Sequence, residues 1–240
     1  MRYAVFGDIH GNYDALEAAM SQIERAGVDE MLCLGDIVGY GAEPDRCVGK
    51  VRELGCLCLA GNHDHAACEK LDVEFFNVHA RRAALWTREH LAGEHKEWLS
   101  SLGFVEHPGE FALAHGSLYA PELFNYIQTI FDAELSFDAL DKPLLFYGHT
   151  HVPVAFFDTD PMTYSMDSLI HLDPDVKTLV NIGSVGQPRD ENPRACWVLY
   201  DSEARTVELR RPGYDVKKAA KKIIDAGLPE VLAYRLTVGQ

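Results

Sequence analysis

The chain opens with residues 2–10, RYAVFGDIH, in which an apolar run ends at a glycine and is followed by an aspartate and a histidine. A short apolar run that ends in glycine is typical of a buried β-strand. In open α/β sheets, ligands bind at the carboxyl ends of the strands. Because residues two apart in an extended segment point the same way, we expect Asp8 and His10 to bind one cation together. Taken alone, Asp8 is equally consistent with a helix N-cap or a turn.

Four further apolar runs end in the same way, with a small residue before side chains that can bind metals. They are residues 31–35 (MLCLG) before Asp36, residues 56–61 (CLCLAG) before Asn62, His63 and Asp64, residues 111–114 (FALA) before His115, and residues 144–148 (LLFYG) before His149 and His151. If all five runs are buried strands, two aspartates, an asparagine and several histidines meet at one rim of the fold. This set is large enough to hold more than one metal ion, and it indicates hydrolysis.

Each of these residues also has a plainer interpretation. Asp36 could be a turn aspartate, and any single histidine could be a buried residue with satisfied hydrogen bonds. Asp64 could orient His63 or cap the next segment, and the capping role is favoured. His63 could stay outside metal coordination and donate a proton or a hydrogen bond to a reacting phosphate. The plainer interpretation does not suit the whole set. If these polar groups were buried without cations, each would lack a partner, at a cost of roughly 1–3 kcal/mol in stability.

The first ninety residues alternate strands and helices, an order that predicts a parallel sheet with right-handed crossovers. Strands are expected at residues 2–7, 31–34 and 56–60, and helices at 13–26, 44–54 and 77–91. In the second half, strands are expected at 104–107, 111–115, 143–147, 153–158, 167–172, 178–182, 195–200 and 206–210, and helices at 215–226 and from 229 onward. The first two of these strands flank Pro108-Gly109 and are expected to form a hairpin. The pattern predicts a second sheet, antiparallel or mixed, packed face to face on the first with helices outside.

The composition is that of an ordinary globular protein, with 240 residues, 47% hydrophobic and 25% charged. The net charge of −15 argues against extended nucleic-acid binding, which needs a basic face. Phosphorylated substrates stay possible, because divalent cations reverse the field inside a cleft. No apolar stretch approaches the ~20 residues of a membrane span, and no signal peptide is recognisable. We expect a cytoplasmic protein that does not bind membranes and keeps its core cysteines reduced.

Taken in order, the motifs resemble those of the calcineurin-like metallophosphoesterases. That family's pattern is D-x-H, G-D-x-x-G or G-D-x-x-D, G-N-H-D or G-N-H-E, a separate histidine, and then G-H-x-H. The matching positions here are residues 8–10, 35–39, 61–64, 115 and 148–151. The later segment 181–189, NIGSVGQPR, is similar to the bacterial and archaeal branch of small phosphodiesterases, although Ile182 stands where many relatives have proline.

The resemblance implies an α/β fold, a four-layer αββα sandwich with two central mixed β-sheets flanked by helices, in which residues 1–240 form a single metallophosphoesterase domain. It also implies two divalent metal ions with one shared ligand. The first ion would be held by Asp8, His10, Asp36 and His151, and the second by Asp36, Asn62, His115 and His149. Spacing alone does not divide the last two histidines between the ions. Mixed nitrogen and oxygen ligands favour the transition metals Mn, Fe, Zn, Co or Ni.

The function that follows is hydrolysis of phosphate esters, with a metal-bridging hydroxide attacking phosphorus in line. The predicted catalytic residues are His63, near the leaving group, with Asn62 and Asp64. The predicted substrate is a phosphorylated small molecule or a nucleotide. Phosphodiesters and phosphomonoesters are both open, as are dinucleoside polyphosphates, while a protein phosphatase is less favoured. The alternative is a non-catalytic metal-binding scaffold of the same fold, which the complete set of ligands disfavours.

Other residues are assigned on weaker grounds. Arg189 is a candidate for binding substrate together with His63. The alternative is that Arg189 is a surface arginine paired with Asp190 or Glu191. Residues 118–141 are predicted to form a helical insertion beside the active site, although their aromatic side chains could equally belong to the core. The histidines outside the motifs are expected at the surface, and His65 is the one close enough to the site to doubt. They are His65, His79, His90, His95, His107 and His171.

Overall fold

The computed structural model describes residues 1–240 and contains twelve strands and eight α-helices. The strands are β1 Arg2–Phe6, β2 Glu30–Cys33, β3 Leu57–Cys58, β4 Val105–Glu106, β5 Phe111–Ala114, β6 Leu144–Tyr147, β7 Ala155–Phe157, β8 Thr163–Ser165, β9 Leu169–His171, β10 Thr178–Asn181, β11 Trp197–Asp201 and β12 Thr206–Arg210. The helices are α1 Tyr13–Ala26, α2 Pro44–Leu54, α3 Asn62–Ala67, α4 Val78–His90, α5 Gly93–Ser100, α6 Ile130–Ala139, α7 Val216–Asp225 and α8 Glu230–Val238. Two short 3-10 helices cover Val73–Phe75 and Pro121–Leu123. No helix combines the length and the apolar character that crossing a membrane requires.

The ends of α1 show why the chain folds locally as its sequence predicts. The Asn12 side chain accepts a hydrogen bond from the backbone N–H of Ala15, which caps the first turn. Gly27 ends the helix with a φ of 63°, in the left-handed region that glycine adopts without steric cost. The predicted helix over residues 13–26 is therefore confirmed.

The strands form two mixed sheets of six. The first has the order β3-β2-β1-β11-β12-β9, with β1, β2 and β3 parallel and the rest antiparallel. The second has the order β4-β5-β6-β10-β7-β8, with β5, β6 and β10 parallel. Each sheet thus contains three adjacent parallel strands, and the carboxyl ends of these strands lie at one rim, where the site is built.

The two sheets pack face to face and bury one apolar cluster between them. Val5 and Leu32 of the first sheet pack in this cluster with Leu113, Phe146 and Val180 of the second. Burial of each such side chain stabilises the fold by roughly 1.5–3 kcal/mol. Because this cluster draws on strands from both halves of the sequence, we propose that residues 1–240 form one domain.

Helices cover the outer face of each sheet. On the first sheet, Phe6 packs in one cluster with Leu16 of α1 and Val48 of α2. On the second, Leu145 packs in a cluster with Phe137 of α6. The resulting order of helices, sheet, sheet and helix confirms the predicted αββα sandwich with two mixed sheets.

The structure differs from the predicted elements where contacts between distant segments determine the local conformation or the strand pairing. The strand expected at residues 56–60 is regular only over Leu57–Cys58, because the chain then turns into α3, a short helix that the sequence analysis did not predict. The strands β9, β11 and β12 join the first sheet, although they lie in the second half of the sequence. The pairing that brings them there, β11 with β1, joins residues from Arg2 with Asp201 to Val5 with Val198, and local patterns do not contain such distant partners.

The six cysteines lie at buried or half-buried positions. All six are free, and Cys33, Cys47 and Cys196 are buried. The Sγ atoms of Cys56, just before β3, and Cys58 lie 3.8 Å apart.

Candidate active site

The side chains that the motifs single out meet at the rim where the parallel strands end. Asp8 and His10 follow β1, Asp36 follows β2, and His115 follows β5. The same rim receives the pair after β6, His149 and His151, and the first residues of α3, Asn62 and His63. All of these side chains are buried. Strands from both sheets therefore contribute to one interior cluster.

The cluster divides into two groups of potential metal ligands that share Asp36. The first contains Asp8, His10, Asp36 and His151, and the second contains Asp36, His115 and His149; within each group the potential ligand atoms lie within 4.8 Å of one another. In the first group, His151 Nε2 lies 3.2 Å from Asp8 Oδ1. Asp36 Oδ2 lies 3.6 Å from His10 Nε2 and 3.3 Å from His115 Nε2, so one oxygen atom faces both groups.

Backbone carbonyls fix the orientation of three of the imidazoles. The Nδ1 atoms of His10, His115 and His151 lie 3.1, 2.8 and 2.6 Å from the carbonyl oxygens of Val38, Leu34 and Gln187. With Nδ1–H donating to the carbonyl, Nε2 is left with a lone pair directed into the cluster. This is the second-sphere arrangement usual for histidines that bind metals. The bond from His115 to Leu34 also ties the second sheet to the first.

The oxygen atoms of the cluster provide the test of whether metals fit. Each aspartate uses one oxygen on the backbone: Asp8 Oδ2 accepts from the N–H of His149 at 3.1 Å, and Asp36 Oδ1 accepts from the N–H of His63 at 2.8 Å. The remaining oxygens, Asp8 Oδ1 and Asp36 Oδ2, are buried without a hydrogen-bond partner, as is Asn62 Oδ1. Unpaired buried oxygens of this kind are costly, and divalent cations at the two groups would satisfy all three. The donor set therefore fits metal ions.

The charges of the cluster also suit cations. Burial lowers the pKa of His10, His149 and His151, so these rings are neutral and keep a lone pair for a metal. Burial opposes the charge on Asp36, but the imidazoles of His115 and His63 outweigh it and hold the pKa of this carboxyl well below its usual range. Burial acts against charge on His115 too, yet Asp36 raises the pKa of that ring to about 9, so a cation there would displace a proton.

The backbone of the cluster corrects one premise of the sequence analysis. Asp8 and His10 do not lie on an extended segment, because their φ angles are 49° and 50°, in the left-handed region. Asp36, His149 and His151 share this conformation, with φ of 50°, 69° and 63°. Such backbone is uncommon for residues with a Cβ and persists where the surrounding structure enforces it. The two side chains of the D-x-H motif converge through these turns, not through strand alternation.

Two motif glycines are required by close approach to these carboxylates. A Cβ on Gly61 would overlap the Asp36 carboxylate, and a Cβ on Gly148 would overlap Asp8 Oδ2. Any other residue would therefore displace one of the two carboxylates.

Asp64, one of the predicted catalytic residues, is bonded to backbone. Its Oδ1 accepts from the N–H groups of Ile37 and Val38, and its Oδ2 accepts from the N–H of Gly61. Neither oxygen is bonded to the His63 ring, whose Nδ1 has no partner. Of the two roles that the sequence left open, capping is the one found, and Asp64 joins the loop after Asp36 to the start of α3.

Replacing Asp64 with alanine is expected to destabilise the metal-free protein by about 2–4 kcal/mol, because three buried N–H groups lose their acceptor. Urea unfolding of the metal-free protein measures this. The matched control is Asp225→Ala, since the Asp225 carboxylate pairs with Lys221 at the surface and should contribute less than ~1 kcal/mol. Equal losses in the two variants would contradict the capping role.

His63 lies beside the cluster without being part of either group. Its ring packs against Tyr40, at 4.4 Å between centroids, and Phe76, at 4.9 Å. Burial lowers the pKa of His63 to about 4, so the ring is neutral near pH 7. A neutral imidazole still donates one N–H hydrogen bond.

Arg189 is half-buried near the cluster and does not pair with an acid. Its Nη2 donates to Tyr40 Oη at 3.3 Å and to Gln187 Oε1 at 3.2 Å, while Asp190 pairs instead with Arg211. The alternative of an arginine paired with Asp190 is thus wrong. Tyr40, which contacts both His63 and His10, was missed by the sequence analysis. Its position directly after the G-D-x-x-G motif was the available signal.

The loop at residues 181–187 braces the cluster from outside, a role that the motif did not reveal. Asn181 Nδ2 donates to the carbonyl of Gly148 at 2.7 Å and to Thr150 Oγ1 at 3.0 Å. Ser184 Oγ donates to the carbonyl of Asp8 at 2.8 Å. These bonds support the left-handed turns that carry Asp8, His149 and His151.

Among the remaining histidines, His65 corrects the expectation of a surface position. It is buried and packs against Phe104 and Phe124. His95 is half-buried against Asp45, and the other four are exposed. Residues 118–141 contain a 3-10 helix and α6, and Tyr126 from this segment stacks on the ring of His149 at 4.1 Å. The segment therefore reaches the cluster.

Comparisons with known proteins agree with this geometry. The chain is 36% identical to the uncharacterized protein MJ0912 of Methanocaldococcus jannaschii over 241 aligned residues, covering 99% of this chain and 98% of that protein. The solved structure of a metallophosphoesterase from Sphaerobacter thermophilus matches with a TM-score of 0.88 and 38% identity, covering 100% of this chain and 99% of that one. Phosphodiesterase YfcE of Escherichia coli is 23% identical over 218 residues, covering 86% of this chain and 91% of that protein.

The family comparison covers the residues that carry the cluster. A family profile described as calcineurin-like phosphoesterase matches residues 1–153, which include every predicted ligand from Asp8 to His151. The chain therefore belongs to the calcineurin-like phosphoesterase family, and the prediction of a metal-dependent phosphoesterase is confirmed.

Proposed function

We propose that the protein hydrolyses phosphodiesters at two divalent metal ions held by the buried cluster. The observation that supports this most strongly is Asp36 Oδ2, an unpaired buried oxygen within 3.6 Å of a histidine nitrogen from each group. One oxygen in this position can serve two cations at once. The other carboxylate oxygen accepts a hydrogen bond from the N–H of His63, so Oδ2 is the oxygen with which Asp36 would help to hold the ions.

The proposed ligands follow the two groups. Asp8, His10, Asp36 and His151 would hold the first ion, and Asp36, Asn62, His115 and His149 the second. Mixed nitrogen and oxygen donors favour Mn, Fe, Zn, Co or Ni. Two such ions would supply an activated water and would neutralise charge on the phosphoryl oxygens.

The chain's own residues supply positioning and hydrogen bonds. His63, outside both groups, would donate its N–H to the phosphate or to the departing oxygen. Arg189, whose guanidinium lies 5.8 Å from the Tyr40 ring centroid, would bind a phosphoryl oxygen. Asp64 would act indirectly, because it holds the backbone of both Val38 and Gly61 in place.

The preference for diesters rests on the comparison with Phosphodiesterase YfcE and on the similarity of residues 181–189 to the small phosphodiesterases. A scaffold without turnover is disfavoured, because every donor of the two groups and His63 are present. The proposed substrate is a phosphorylated small molecule.

The test measures hydrolysis of phosphate esters. Bound metal is first removed from the protein with a chelator, and the protein is then reloaded with Mn²⁺, Co²⁺ or Ni²⁺. Bis-p-nitrophenyl phosphate and p-nitrophenyl phosphate are compared side by side, and bound metal is counted by mass spectrometry. We expect two ions per chain and faster release of p-nitrophenol from the diester, with no release after stripping. Two bound ions without hydrolysis of either ester would instead indicate the scaffold.

A further inference from the structure

A cavity of about 540 Å³ opens beside the cluster, and His63 and His149 form part of its wall. Most of its other lining residues come from two segments outside the motifs, residues 71–77 before α4 and residues 122–126 before α6. The volume lies in the range of roughly 300–1,000 Å³ that is usual for pockets that hold small organic ligands. A group attached to a phosphate in the cluster would enter this cavity on the side of His63.

The wall of the cavity is largely aromatic. Phe76 packs against His63, Tyr126 stacks on His149 with an interplanar angle of 16°, and Phe124 lies buried behind them. Phe75, at the rim, is 90% exposed, which is unusual for so large an apolar side chain. A free aromatic face at a cavity rim is suited to stacking on a planar ring.

The charges of the cavity wall disfavour ligands that carry several phosphate groups. No lysine or arginine lines it, and its two ionisable acids are Asp72 and Glu122. Phosphate groups placed there would meet negative charge, and the wall offers no lysine or arginine to compensate it. Arg189 lies outside the cavity wall and is bonded to Tyr40. The lining therefore suits an uncharged ring better than a chain of further phosphates.

We propose that this cavity receives the leaving group of a phosphodiester, and that this group is an uncharged aromatic one such as a nucleoside, not a nucleoside polyphosphate. This inference rests on the proposed function. Water would form the new bond to phosphorus, the bond from phosphorus to the nucleoside oxygen would break, and that oxygen would take up the proton lost by the water. The products are a phosphomonoester and a free nucleoside.

The experiment uses the metal-loaded protein and three substrates with different leaving groups. They are adenylyl-adenosine, dimethyl phosphate, a methyl ester that has no aromatic group, and diadenosine tetraphosphate, and products are separated by chromatography. We expect the highest kcat/KM for adenylyl-adenosine. Phe75→Ala should lower that value about tenfold, mainly through KM, because one base–aromatic stack is lost, and should leave the methyl ester unchanged. The matched control is Phe131→Ala, which removes another exposed aromatic side chain outside the cavity wall.

A second variant tests the charge argument independently of stacking. Glu122→Lys should raise kcat/KM for diadenosine tetraphosphate several-fold at low salt, with the gain lost at high salt. It should leave the methyl ester unchanged. A preference of the unaltered protein for the tetraphosphate, or an equal loss on all three substrates in Phe75→Ala, would overturn the inference.

Binding of adenosine to the metal-free protein separates this inference from the proposed function. Calorimetry should detect adenosine binding that Phe75→Ala weakens and Phe131→Ala does not. If bis-p-nitrophenyl phosphate is not hydrolysed, the proposed function fails, while adenosine binding still reports on the cavity. If that diester is hydrolysed but adenosine does not bind and adenylyl-adenosine is not cleaved, only the present inference fails.

Discussion

Replacing Asp36 with asparagine is expected to reduce hydrolysis by at least about 10³-fold and to lower the metal content from two ions per chain to less than one. The asparagine oxygen can keep the hydrogen bond from the backbone N–H of His63, which now binds Asp36 Oδ1. Its amide nitrogen, which has no lone pair for a metal, then takes the place of Oδ2 between the two groups. The shared negative ligand is lost while the local fold is kept.

The measurements for this variant are metal content by mass spectrometry, turnover of the diester, and a circular dichroism spectrum to establish folding. Asp14→Asn is the matched control, because that carboxylate pairs with Lys218 and Lys222 and belongs to neither group. Two tightly bound ions together with normal turnover in the Asp36 variant would rule out a shared aspartate.

Replacing His63 with alanine is expected to lower turnover by about 10²–10³-fold and to leave the metal content unchanged. The ring belongs to neither group of potential ligands, and its Nδ1 has no partner in the protein. Its loss therefore removes a hydrogen-bond donor to the reacting phosphate without opening a metal site. His10→Ala provides the contrast, since it should lose metal and turnover together.

Two further measurements define how His63 acts. His63→Asn should recover part of the turnover, because its amide retains an N–H donor. Since burial lowers the pKa of His63 to about 4, the ring stays neutral from pH 6 to pH 9, and the ratio of parent to His63→Ala turnover should be constant over that range. Metal loss in proportion to activity would show that His63 is a ligand after all.

Local pattern was sufficient for most regular elements. The helix over residues 13–26 has an apolar face at helical spacing, a capping asparagine directly before it and a glycine directly after it. All three signals lie within residues 12–27. The pairing of β11 with β1 is different, because Trp197–Asp201 carries no mark that says which sheet it joins. The short helix that starts at Asn62 was missed for a related reason. Its residue Asp64 accepts hydrogen bonds from the N–H groups of residues 37–38, a loop that is distant in sequence.

The site shows the same division. The order of the motifs was sufficient to predict that the cluster residues lie at one rim, because the carboxyl ends of parallel strands lie together. The assumption that Asp8 and His10 lie on extended backbone was wrong, because the turns that hold them depend on Ser184 and Asp36, far along the chain. His65 was misplaced because burial against Phe124 is a contact between segments about sixty residues apart.

The sequence by itself determined the kind of chemistry. Apolar runs that end in glycine and then in carboxylates or imidazoles specify which side chains stand at strand ends, and that pattern is local. Only the tertiary structure decided that one oxygen of Asp36 faces both groups and that an aromatic, acidic cavity adjoins His63. Both depend on distances between atoms of remote segments, which are fixed when the two sheets pack together and not before.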